Sequence, residues 1–487
     1  MSSAARRWST VIFALAVAVV AASHLVVAWH SLTVARFWED EAFNLTVPVN
    51  LVQGLGYTSD GTLSGSELTP FDPRISTGPA VLLPIAAVLA AGGDLVVGAR
   101  AVPLLYFVAL IVAVAVLGRR LAGRWGALVA AAVPVAFTAA ALPSPIQGPA
   151  DVLGEVPAAA LLAWAVVVLA KRPWLAGLLV GLAIQAKYIS LLALPAVVIG
   201  FVLLTIGLPW LVRVRRLVVP ALLVAVPTVA MELYALVALG PVGFRDHLRR
   251  TVDFVRDGGQ TDRASGPAAK AAALLESWYL PPVLVVVALL IVAALFAWAA
   301  ADLLRRRNPM VGVLADPRTV AVVVASVGVV TYLAWWLTAG HLPAWVRHPA
   351  PGILAFVPVL MAAAVAAVRR LWSRGRAGAA TAAVAGGALA VAVGAQVVLA
   401  GVAALPGGNS PLAAQRAAAS VLAESDADWI ATRWGPRVGI VVLAGAHVAL
   451  TDAPPEVIAD YPRLASVDDG CRGPAIVTAP PYVLCAP

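Results

Sequence analysis

Glu39, Asp40 and Glu41 stand side by side just after the first long apolar run, between Trp38 and Ala42-Phe43. Three adjacent carboxylates repel one another and lose solvation near lipid, so packing gives no reason for them and they read as a site. Further along, Asp151 and Glu155 open one apolar run, Lys187 ends another, and Arg347 and His348 follow Trp345 ahead of a third. A carboxylate of this set can take a proton from an attacking hydroxyl. Positive groups, or a divalent metal ion, can stabilise a departing phosphate. Phosphate leaves without being protonated, so the second, acid-acting carboxylate of glycoside hydrolysis is not needed. The set therefore suits transfer of a sugar from a lipid phosphate to a hydroxyl.

Each group also has an ordinary reading. Lys187 can snorkel to the interface from the end of a span. Arg347 and His348 can meet headgroups beside Trp345, and Glu155 can favour a helix N-terminus. Glu39 is left out of the site.

The elements that must position these groups are membrane helices. Of 487 residues, 61% are hydrophobic and 12% charged, with a mean hydropathy of +0.92, which describes an all-α polytopic membrane protein. The net charge of +9 comes from arginine clusters between apolar runs, which orient a membrane chain and exclude a nucleic-acid partner. Spans are expected at 9–29, 99–117, 125–142, 152–170, 174–186, 189–207, 217–239, 278–303, 320–338, 353–368 and 377–405, about eleven in all. An outer loop over 30–98 carries two interfacial helices, Glu41 to Gly54 and Thr77 to Ala91.

With these spans, Arg6-Arg7, Arg119-Arg120, Lys171-Arg172, Arg213 to Arg216, Arg305 to Arg307 and Arg369-Arg370 all fall on one side. That side is expected to be the bacterial cytoplasm, with the N-terminus in it. The candidate groups face the opposite side. Gly240 to Glu276 is also assigned outside, although it mixes Arg245, Arg249, Arg250, Arg256 and Arg263 with Asp246, Asp253, Asp257 and Asp262. The spacing of Phe244, Leu248, Val252 and Val255 suggests an amphipathic helix on the outer leaflet.

The domains divide at 1–405, transmembrane, and 406–487, a small extracytoplasmic α/β tail. In the tail Pro411 to Glu424 reads as helix, and Val438 to Leu443 and Ala475 to Thr478 read as strands. Cys471 and Cys485 are placed where a disulfide can form.

The Asp40-Glu41 pair after the first span, the two interfacial helices and the run Trp174 to Lys187 resemble the C-type glycosyltransferase superfamily. Gly154-Glu155 and Arg347-His348-Pro349 resemble further stations of the pattern, and the likeness is to the protein O-mannosyltransferase and lipid A aminoarabinose transferase branch. The resemblance covers about residues 9–370. It implies that Asp40 is the base and that Glu41 positions it. It also implies that Lys187 and Arg347 help bind a polyprenyl phosphate sugar, and that Asp151 or Glu155 serves near the acceptor or a metal. Ser76-Thr77-Gly78-Pro79 departs from the branch's Lys-Pro-Pro or Glu-Lys-Pro segment, so the acceptor, whether glycan, lipid or protein, does not carry over. A transporter or flippase would show internal repeats and charges at mid-membrane depth. A noncatalytic envelope scaffold would tolerate loss of Asp40.

Overall fold

The computed structural model describes residues 3–61, 68–135, 146, 148–257, 264–305, 310–405, 407, 410–450, 458–471 and 473–487. The chain begins with α1 (Ser3–Thr33), whose apolar run stays helical well past the 20 or so residues that a span requires. The outer segment follows, with α2 (Glu39–Val52), the two-residue strands β1 (Thr58–Ser59) and β2 (Thr69–Pro70), and α3 (Pro79–Ala90). Helices therefore stand at both expected positions, but α2 is buried from Glu41 to Pro48, so Phe43 and Val47 pack inside the protein instead of on a membrane surface. In α3 proline occupies the first turn, where its missing N–H leaves no bond unmade.

The helical body continues with α4 (Val97–Ala132), α5 (Glu155–Val168), α6 (Pro173–Ala186) and α7 (Leu194–Leu204). Next come α8 (Trp210–Asp257), α9 (Pro267–Glu276), α10 (Pro282–Arg305) and α11 (Met310–Leu314), then α12 (Pro317–Thr338), α13 (Ala350–Trp372) and α14 (Gly375–Ala403). α4 turns at Ala122-Gly123, between the spans expected at 99–117 and 125–142. α8 turns at Gly240, so the amphipathic stretch after it is a second helical arm.

Seven of the described helices are long and apolar enough to cross a membrane: α1, α4, α8, α10, α12, α13 and α14. α4 runs through the expected span at 99–117 and into that at 125–142 on either side of its turn, while α5, α6 and α7 fall short. The physical reason lies in length. α5 and α6 have 14 residues each, about 21 Å of rise against about 30 Å of hydrocarbon. Residues 136–142, Asp262, Arg263, Arg306 and Arg307 lie outside the described residues.

After α15 (Pro411–Ala423) the chain forms β3 (Trp429–Thr432), α16 (Pro436–Leu443), β4 (His447–Leu450), β5 (Arg463–Ser466), β6 (Ala475–Ala479) and β7 (Tyr482–Cys485). The sheet order is β4-β3-β5-β7-β6, with β3 parallel to β4 and β5 and the β7 pairs antiparallel. Val438 to Leu443, expected as a strand from its β-branched residues, is helix α16. Parallel neighbours need a crossover, and this segment supplies it between β3 and β4, overriding local propensity. Cys471 and Cys485 are disulfide-bonded.

The tail is fastened to the outer segment. Gln415 bonds both backbone groups of Phe37, accepting from its N–H at 2.6 Å and donating to its carbonyl at 2.7 Å. Asp60, 2% exposed, accepts from the Val448 N–H at 2.8 Å and sits 3.0 Å from His447 Nδ1. That contact holds the imidazole above its ordinary pKa, chiefly through the hydrogen bond to Asp60 and against the effect of burial.

Candidate active site

The acidic cluster opens α2, where carboxylates complement the helix dipole. Consecutive residues of a helix point about 100° apart, so the three acids take three environments. Glu39 pairs with Arg36 at 3.4 Å near the surface. Asp40, with its side chain 21% exposed, pairs with Arg347. Glu41 is fully buried against Arg100: Nε donates to Oε1 at 2.9 Å and Nη2 to Oε2 at 2.6 Å.

Arg100 is silent in the sequence, because a lone arginine at the start of an apolar run looks like a flank. Its remaining donors reach the carbonyls of Ser31, Ala35 and Arg36. Every buried donor in this fork has a partner, which a buried ion pair needs if it is to be tolerated. Glu41 Oε1 also accepts from the Val152 N–H at 3.0 Å. Glu41 thus joins the end of α1, the start of α2, α4 and the segment before α5.

That segment carries Asp151 and Glu155. Asp151 is 3% exposed and accepts from the Gly148 N–H at 3.1 Å; its charge also acts on Arg100. Glu155 begins α5 and is fully buried, with Oε1 2.8 Å from Lys187 Nζ. Lys187 is therefore no snorkelling span end. Its Nζ also donates to Ser76 Oγ at 2.8 Å, and its backbone forms an antiparallel bridge with Thr77.

Two glycines make this approach possible. A Cβ at Gly78 would lie 2.1 Å from the Gln185 carbonyl oxygen, and one at Gly154 would lie 2.0 Å from that of Ala186. Only glycine lets both loops close on the end of α6. Asn44 donates to Thr77 Oγ1 at 2.9 Å and to the Val152 carbonyl at 2.8 Å, tying α2 to both loops.

Arg347 lies ahead of α13, with its guanidinium 4.5 Å from the centre of the Trp345 ring and 5.8 Å from that of Trp38. Stacking of this kind fixes the planar group while its edge remains available to an oxyanion. His348 packs against Trp345 at a tilt, ring centres 5.6 Å apart, instead of reaching the acids. Burial, with Arg347 and Lys187 next in weight, pulls its pKa well below the ordinary value.

The structure thus brings together Asp40 with Arg347, Glu41 with Arg100, and Glu155 with Lys187. No group of three or more histidine, cysteine, aspartate or glutamate side chains able to hold a metal occurs among the described residues. Asp40, Glu41 and Glu155 each already face their own cation, so the donor set does not fit a divalent ion. What the arrangement offers is one partly exposed carboxylate beside a stacked guanidinium, on a frame of buried ion pairs.

No family model and no curated protein matches the chain. Among solved structures it is similar to ArnT from Cupriavidus metallidurans in the apo state, with a TM-score of 0.58 and 13% identity over 99% of this chain and 98% of that one. The same enzyme bound to undecaprenyl phosphate aligns with a TM-score of 0.56 and 13% identity over 98% of both chains. The Archaeoglobus fulgidus oligosaccharyltransferase in complex with Zn and sulfate aligns with a TM-score of 0.52 and 14% identity over 90% of this chain, which spans 62% of that one. The chain therefore has the GT-C fold of membrane glycosyltransferases.

Proposed function

We propose that this GT-C-fold chain is an inverting glycosyltransferase, moving a sugar from a polyprenyl phosphate carrier to an acceptor hydroxyl on the extracytoplasmic face. The observation that carries the reading is Asp40, partly exposed and paired to the stacked Arg347. The undecaprenyl phosphate bound by ArnT, whose fold this chain shares, supports the carrier class.

In the reaction, the acceptor O–H gives its proton to the Asp40 carboxylate as its oxygen bonds to the anomeric carbon. The anomeric C–O bond to phosphate breaks, and its electron pair leaves with polyprenyl phosphate. One displacement inverts the configuration. Before donor arrives, the salt bridge to Arg347 occupies Asp40. A phosphate competes for the guanidinium with good bidentate geometry, so donor binding frees the base and precedes proton abstraction. Lys187 can adjust from Glu155 and Ser76 toward the same phosphate. Glu41 and Arg100 position α2, and His348, Asp151 and Glu155 shape the surroundings.

Purified protein with radiolabelled polyprenyl phosphate sugars and a crude envelope acceptor tests the reading. Label appearing in acceptor with stoichiometric release of polyprenyl phosphate is the expected result. No transfer from any such donor contradicts it.

A further inference from the structure

Glu232 is a carboxylate that the reaction above leaves unused. It lies in the first arm of α8, which is apolar from Leu217 to Leu239 apart from Thr228, Glu232 and Tyr234, and a carboxylate in such a helix is costly enough to need a reason. The arm from Trp210 to Leu239 rises about 45 Å, beyond the roughly 30 Å of a hydrocarbon core. On the expected span 217–239, Glu232 lies about two turns short of the outer end.

Packing fixes what Glu232 stands beside. Gly177 and Gly181 of α6 press against the α8 backbone at Pro220 and Val224. Gln185 Nε2 donates to Thr228 Oγ1 at 2.9 Å. One helical turn beyond Thr228 is Glu232, level with the residues that follow Gln185, namely Lys187 and Tyr188. Its charge acts on the Tyr188 phenol.

The carboxylate is clamped from the other side. His247, on the arm that turns back at Gly240, places Nε2 3.3 Å from Glu232 Oε2; the imidazole is 9% exposed and the carboxylate 30%. Phe71 packs on both Tyr234 and His247, at 5.3 and 5.8 Å between ring centres. Phe71 belongs to the same outer loop as Ser76, which contacts Lys187. Tyr188 and Tyr234 are 46% and 42% exposed. Two tyrosines at a membrane boundary are an ordinary interfacial belt. A part-exposed carboxylate held by a buried histidine, beside Tyr188, is not.

We propose that Glu232, held by His247 and flanked by Tyr188 and Tyr234, is a carbohydrate subsite. The carboxylate accepts hydrogen bonds from pyranose hydroxyls, and a tyrosine ring covers the sugar's C–H face. The proposal rests on the transfer reaction above, in which the sugar belongs either to the donor or to the acceptor. The shared chemistry is a pyranose.

Glu232→Gln keeps the side chain's shape and a hydrogen bond to His247 while removing the charge. Steady-state transfer by purified protein, varied separately in donor and acceptor, is expected to show KM raised roughly 10-fold for one substrate, as for loss of a charge-assisted hydrogen bond, at an unchanged thermal midpoint. A rise in donor KM assigns the carrier's sugar, and a rise in acceptor KM assigns the acceptor. If both KM values stay at wild type, the subsite is overturned. Should Glu232→Gln fail to fold, Tyr188→Leu on the exposed surface is expected to raise the same KM, and unchanged values again overturn it.

If wild type transfers from no polyprenyl phosphate sugar, the reaction has failed and the subsite is judged separately. Titration with methyl α-mannopyranoside and methyl α-glucopyranoside, read by tryptophan fluorescence, is then expected to show binding that Glu232→Gln removes. No binding, or binding equal in the variant, overturns it.

Discussion

Asp40 and Glu41 are neighbours in sequence and opposites in environment, one 21% exposed beside Arg347 and the other sealed against Arg100. Their substitution should therefore fail differently. Removing Arg100, as Arg100→Leu, leaves Glu41 an uncompensated buried charge and should destabilise the protein by about 3–5 kcal/mol, seen as a lowered thermal midpoint. Arg347→Gln should leave the fold in place and weaken donor binding, measured by titration with polyprenyl phosphate; equal affinity would remove Arg347 from the phosphate site. The acids were visible in the sequence because three together have no packing explanation. Arg100 was not, since its meaning comes from a fold that brings it against a residue 59 positions away. Glu232 and His247 were hidden likewise, on opposite sides of the turn at Gly240.

Helices were readable as elements wherever apolar sequence ran long, and both helices of the outer segment lie near their expected positions. The failure was local. Val438 to Leu443 has the composition of a strand and is a helix because of what β3 and β4 require on either side of it. At this scale the latch between β4 and the outer segment carries a pH prediction. His447 has a raised pKa in the folded protein, so its contribution to docking is complete below about pH 6.5, its ordinary value. That contribution is lost as pH rises through the raised value. Hydrogen exchange over 447–450 should accelerate across that window in wild type, and Asp60→Asn should flatten the dependence; a wild-type profile indifferent to pH would contradict it. The second arm of α8 exposes Leu248, Val252 and Val255, with Arg245, Arg249 and Arg256 along one edge of that stripe. Replacing the three arginines by glutamine should reduce protection of this arm in anionic vesicles and leave it unchanged in neutral ones.

For the whole molecule we propose, from the arginine clusters, an N-terminus in the cytoplasm and a tail, with the Cys471–Cys485 bond, outside. Reporter fusions after residues 33 and 487 should both report the extracytoplasmic side; a cytoplasmic report from the second would overturn the orientation. The polytopic class was legible from composition alone. The number of spans was less so, because α4 joins two expected spans across its turn and α5, α6 and α7 are short. In the proposed reaction Asp40 takes the acceptor's proton. Transfer from a radiolabelled polyprenyl phosphate sugar should be compared between wild type and Asp40→Asn, with donor binding measured in both. The expected result is retained donor binding and a rate lowered by about 100-fold to 10,000-fold, while undiminished transfer by Asp40→Asn would contradict the assignment of the base.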